Sequence, residues 1–104
     1  MRLAALSDIH GNVRALEAVL ADVSRRGVDL IVVLGDLFSG PLWPRETAEL
    51  LMTLGVPTIR GNHERHMLDC LHRRGGASDQ YAYEELTSVQ HEWARALPAT
   101  LRLS

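Results

Sequence analysis

The chain has 104 residues, 46% of them hydrophobic and 23% charged, a globular balance with room for one domain and one modest core. Its net charge is −2 with histidine neutral, and every positive side chain is an arginine, so there is no basic footprint for nucleic acid. No apolar run reaches the length of a membrane span, and the apolar start is too short for a signal-peptide core; the sequence predicts a cytoplasmic protein.

"RLAALS" (residues 2–7) is a short apolar run ending at a polar corner, expected as a strand. "VRALEAVLADVSRRG" places Val13, Leu16, Val19, Leu20 and Val23 on one helical face, with Gly27 as the stop. "DLIVVLGD" is apolar throughout between Asp29 and Gly35, the pattern of a strand covered on both faces. "GPLWP" reads as a loop, its prolines framing Trp43. "RETAELLMTLG" is a second helix, begun at Pro44 and stopped at Gly55. "VPTIRG" is a short third strand, and residues 63–73 a third helix closed by "RRGG". Cys70, the single cysteine, falls at helical spacing from Met67 and is expected as a buried thiol with no disulfide partner. "YAYEELTSVQHEWARALP" is helical in part, with Thr87 or Ser88 capping its second piece, and "TLRLS" is a candidate last strand. The alternation predicts an α/β fold, βαβαβα, with a largely parallel sheet and right-handed crossovers.

In open α/β sheets, ligands gather beyond the carboxyl ends of the strands. Asp8 and His10 follow the first strand, Asp36 the second, and Asn62 and His63 the third. Local roles exist for several of them. Asn12 is expected to cap the first helix rather than touch a substrate. Asp36 could form a turn after Gly35, Asn62 could cap the third helix, and Glu64 suits a first turn through the helix dipole. Turn chemistry does not explain the histidines beside them. Metal chemistry does. Asp8 and His10, at i and i+2 on an extended segment, would point to one side and grip one ion. Asp36 could bridge to a second ion, and Asn62 would add a neutral oxygen. Two ions roughly 3.5–4 Å apart polarise a phosphate and generate a hydroxide nucleophile. His63 would touch the phosphate or protonate the departing oxygen. Such mixed oxygen and nitrogen ligands suit Mn, Fe, Zn, Co or Ni.

"DIHGN", "GDLFSGP" and "RGNHE" resemble the first three motifs of the calcineurin-like metallophosphoesterases: D-x-H, G-D and G-N-H-[DE]. "GPLWP" and "SVQHEWARALPATLRL" resemble the family's small bacterial phosphodiesterase-like branch. The resemblance implies the N-terminal half of a two-sheet sandwich flanked by helices, and hydrolysis of a small-molecule phosphomonoester or phosphodiester. It implies Asp8 and His10 in a first metal site, Asp36 bridging, Asn62 in a second site, and His63 as catalytic proton donor. Substrate contacts would come from Asn62, His63 and Asn12. The family pattern continues with H-G and G-H-x-H, which do not follow here. His66, His72 and His91 are expected as exposed helical residues instead, His66 being the nearest to His63. Residues 1–104 are therefore expected as one partial domain, weakly active or inactive alone, holding one ion loosely. Its uncovered sheet face would favour self-association or a missing C-terminal half. A competing expectation is a scaffold module on the same fold, against which the presence of both His10 and His63 argues. A nucleotide-binding α/β domain ranks last, for want of a Gly-rich phosphate loop.

Overall fold

The first apolar run forms a short strand, β1 (Leu3–Leu6), paired in parallel with β2 (Leu30–Val33), from Leu3 opposite Leu30 to Leu6 opposite Val33. The computed structural model describes residues 1–40, 42–68 and 77–102, and gives the backbone alone for Asn62, His63, His66, Ala77 and Ser78. Parallel pairing requires a crossover, and α1 (Val13–Arg26) supplies it. Asn12 starts that helix, its side-chain oxygen accepting from the Ala15 amide at 3.0 Å. Gly27 ends it at φ 67°, donating its N–H to the Val23 carbonyl. Leu16 and Val23 are buried and Leu20 packs on the core, as the periodicity requires. Val19 departs from it at 42% exposure. It lies at the margin of the apolar stripe, beside the edge of β1 that has no partner among the described residues.

The second crossover is α2 (Pro44–Leu54), closed by Gly55 at φ 63°. The third apolar run is less regular than expected. It contributes a single parallel bridge, Val33 to Thr58, held by Val33 N–H to the Pro57 carbonyl and Ile59 N–H to the Val33 carbonyl, both 2.9 Å. Two causes act together: Pro57 has no N–H to give, and β2 turns away at Gly35, φ 99°. Next comes α3 (Asn62–Leu68); the rest of the expected third helix, with Cys70, His72 and "RRGG", lies outside the described residues. The later helical stretch is two helices, α4 (Ala77–Glu85) and α5 (Ser88–Ala96). Thr87 is the cap of α5, with a reciprocal capping box to Gln90. His91 is not an exposed residue. It is half-buried, its ring stacks on Tyr83 with centroids 4.2 Å apart, and Nε2–H donates to the Tyr83 carbonyl at 2.7 Å. Residues 99–102 form no strand. Arg60 N–H instead donates to the Pro98 carbonyl at 2.8 Å, and Leu101 joins Val32, Leu34 and Ile59 around a cavity of about 130 Å³.

α2 packs against α1, α4 and α5, while α3 packs against α4 and α5. The core reaches up into the loops at the strand ends. Ile9, between Asp8 and His10, is buried; Leu37 and Phe38, directly after Asp36, have 0% exposure. Burying each such side chain is worth about 1.5–3 kcal/mol. Trp93 of α5 meets the Phe38 ring edge-on, with centroids 6.1 Å apart. These loops are nailed down by apolar residues that alternate with polar ones. Among the described residues, no helix is long and apolar enough to cross a membrane.

Candidate metal centre

β1 and β2 end at Leu6 and Val33, yet their backbones stay bonded beyond the sheet. Leu34 N–H donates to Leu6, Asp8 to Gly35, His10 to Asp36 and Gly11 to Leu37, at 2.7–3.3 Å. The segment after β1 is not extended, which corrects the expected route to the Asp8–His10 pair. Asp8, His10 and Asp36 stand in the left-handed region, at φ 56°, 50° and 55°. That conformation is uncommon outside glycine and clusters at functional sites. It folds the chain back on itself, and His10 Nε2 comes to 3.3 Å from Asp8 Oδ1.

The other ring nitrogen decides what that contact means. His10 Nδ1 lies 2.9 Å from the Ser39 carbonyl oxygen. A carbonyl only accepts, so Nδ1 carries the proton and donates. In the neutral ring, Nε2 then presents a lone pair to a carboxylate oxygen, which also only accepts. A cation placed between two such atoms would satisfy both. A histidine whose far nitrogen donates to a backbone carbonyl is the usual arrangement of a metal ligand. The second Asp8 oxygen accepts from Ser7 Oγ at 2.9 Å. The pair therefore fits a divalent cation by its donor chemistry.

Glu64 is what the sequence reading missed. It was expected as a first-turn acid answering the helix dipole, and it is instead wholly buried, at 0% exposure. Oε1 accepts from the amides of Asp36 (2.7 Å) and Gly61 (2.9 Å), and Oε2 from that of Leu37 (2.6 Å). Burial pushes its carboxyl above the usual carboxylate range; the three backbone N–H donors pull it down, and the nearby Asp36 charge pushes it up. One side chain thus ties the loop after β2 to the loop before α3. The approach is too close for a side chain: a Cβ on Gly61 would lie 2.7 Å from Asp36 Oδ1. The available signal was the acidic position closing "GNHE". Sequence alone does not separate a buried acid there from an exposed one.

Asn62 and His63 open α3 on the same edge of the sheet. Asn12 has its side-chain oxygen on the Ala15 amide. The structure brings Asp8 and His10 together. Among the described residues, no group of three His, Cys, Asp or Glu side chains is spaced to hold one ion in this structure.

The chain as a whole is similar to known proteins. The crystal structure of a metallophosphoesterase from Sphaerobacter thermophilus matches with a TM-score of 0.75 and 29% identity, covering 94% of this chain and 41% of that one. The crystal structure of a "putative diadenosine tetraphosphatase" matches with a TM-score of 0.73 and 31% identity, covering 93% and 43%. The uncharacterized protein MJ0912 of Methanocaldococcus jannaschii is 31% identical over 101 residues, 92% of this chain and 42% of that protein. The chain spans about two fifths of the length of these relatives. The family description for calcineurin-like phosphoesterases (Metallophos) matches residues 1–101. With nearly its whole length matched and the metallophosphoesterase fold at the strand ends, the chain belongs to the calcineurin-like phosphoesterase family.

Proposed function

We propose that the protein hydrolyses small-molecule phosphate esters at this sheet edge with the help of bound divalent transition metal. The observation that carries the reading is the His10–Asp8 contact at 3.3 Å, with the far ring nitrogen fixed on the Ser39 carbonyl. Family membership and the two solved structures support it. Asp8 and His10 would hold a first ion, Asp36 would bridge, and Asn62 would serve a second; Mn, Fe, Zn, Co or Ni suit those donors. When bound, such ions supply positive charge that polarises the phosphoryl group and acidifies water.

The chain's own residues do the rest. Ser39 fixes the His10 ring so that Nε2 faces Asp8. Glu64 holds the Asp36 and Gly61 amides and keeps the two loops in register. His63, in the first turn of α3, gives the departing oxygen its proton. Asn62, His63 and Asn12 meet the phosphate. These donors are few for two ions and the relatives are longer, so we extend the proposal to a two-part domain. Residues 1–104 are one part, weakly active or inactive alone, and further ligands come from a second part that covers the open sheet face. The proposed setting is the cytoplasm, and nucleotide esters are the first substrates to try, after the structure described as a diadenosine tetraphosphatase.

The test is hydrolysis of p-nitrophenyl phosphate and bis-p-nitrophenyl phosphate with added Mn²⁺, by these 104 residues and by the longest product of the gene. Activity in the longer product, lost with EDTA and restored by Mn²⁺, is expected. A metal-loaded longer product inert towards every phosphate ester tried would sink the reading.

A further inference from the structure

We propose that Trp43 and Arg14 form a subsite at the rim of the metal centre for the planar aromatic group of the ester, such as a nucleobase. The inference rests on the phosphoesterase reading and narrows its substrate class.

It starts from a broken local rule. The residue preceding α2 is Trp43, whose side chain makes no cap to the first helical amides, where Asp, Asn, Ser or Thr would supply one. The indole is half-buried, so the core does not claim it fully either. Departures of this kind from local preference are expected where function is served. The position of Trp43 supports that. Its N–H donates to the Gly11 carbonyl at 2.8 Å, and Gly11 adjoins His10. The Trp43 main chain is therefore pinned to the residue that follows His10. Arg14, in the first turn of α1, sets its guanidinium carbon 5.2 Å from the indole centroid. Leu42, directly before Trp43, is 38% exposed, and the Tyr81 hydroxyl donates to its carbonyl at 3.3 Å.

The chemistry of the pair selects its ligand. An indole offers a broad π face, and a guanidinium both stacks on rings and carries a charge that attracts phosphate. A planar ring joined to a phosphate satisfies both. An aliphatic phosphate ester engages the charge alone. Base-on-aromatic stacking of this kind tolerates any base, so the subsite favours an aromatic class over one particular base.

The experiment is calorimetric titration of the 104-residue chain, in Mn²⁺, with adenosine 5′-monophosphate, ribose 5-phosphate and adenosine. The adenosine monophosphate is expected to bind about tenfold more tightly than ribose 5-phosphate, within the range of one stacked base. Trp43→Ala removes that preference and leaves ribose 5-phosphate unchanged, while Trp43→Phe keeps most of it. Circular dichroism checks the folding of both variants. Should Trp43→Ala fail to fold, the wild-type ratio and a ligand-induced shift of the Trp43 indole N–H resonance decide. Equal affinity for the two phosphates in the wild type overturns the subsite and leaves the phosphoesterase reading standing. So does a preference that survives Trp43→Ala. Trp43-dependent binding of adenosine with no binding of ribose 5-phosphate upholds the subsite and counts against the phosphoesterase reading. No binding of any probe overturns the subsite.

Discussion

Removing the Glu64 carboxylate tests whether the site is held by one side chain. In Glu64→Ala, three backbone N–H groups lose their acceptor together. A buried donor left unsatisfied costs about 1–3 kcal/mol, and bonds to a charged acceptor lie at the upper end. Leu37 has 0% exposure, so its amide bears the cost in full. Asp36 and Gly61 are half-buried, and water reaches them in part. The expected loss is about 3–5 kcal/mol, a large share of the roughly 5–15 kcal/mol that stabilises a domain. Glu64→Gln separates the amides. Its oxygen can stay on Asp36 and Gly61, while its NH₂ faces the Leu37 N–H, donor against donor. One bond is lost, for about 1–3 kcal/mol. Urea unfolding followed by circular dichroism measures both, with the slope compared to confirm that midpoint shifts report stability. Amide chemical shifts of Asp36, Leu37 and Gly61 should all move in Glu64→Ala, and that of Leu37 above all in Glu64→Gln. If Glu64→Ala loses less than about 1 kcal/mol, or the Leu37 amide does not respond to Glu64→Gln, the staple is wrong.

Three further outcomes are expected. Gly35→Ala puts a Cβ at φ 99°, 2.5 Å from the Gly61 nitrogen, and should destabilise by well over 1 kcal/mol in the same unfolding assay. Thr87→Ala breaks the capping box of α5 and should cost about 1 kcal/mol, seen as a fall in melting temperature of roughly 4–8 °C; an unchanged transition would contradict the cap. Asp8→Asn removes the charge facing His10 Nε2 and should weaken Mn²⁺ binding by more than about tenfold in calorimetric titration; equal affinity would mean the ion does not sit at this pair.

Much of this was legible in the sequence because short-range rules govern it. Gly27 and Gly55 stop their helices, Asn12 and Thr87 start theirs, and the apolar runs pair in parallel. The expectation of a site at three corners came from His10 and His63, for which turn chemistry could not account. What was not legible depends on contacts between distant residues. The reach of Glu64 to Leu37 spans 27 positions, and no local pattern encodes it. The approach of Asp8 to His10 was anticipated, by the wrong route: alternation along a strand has given way to left-handed backbone. The third strand shrank to one bridge because the two faults that shorten it, Pro57 and the turn at Gly35, act from different segments.

The left-handed backbone at Asp8, His10 and Asp36 has a consequence for how this edge can change over time. Each such residue holds its conformation at about 1–3 kcal/mol, which glycine would not incur. The three positions offered for chemistry are therefore the three where glycine would make the better turn. Drift under selection for folding alone would empty this corner first, leaving a sturdier protein without the side chains proposed to hold an ion. Asp, His and Asp at these places cost folding stability, which the proposed ion would offset when bound to the folded chain.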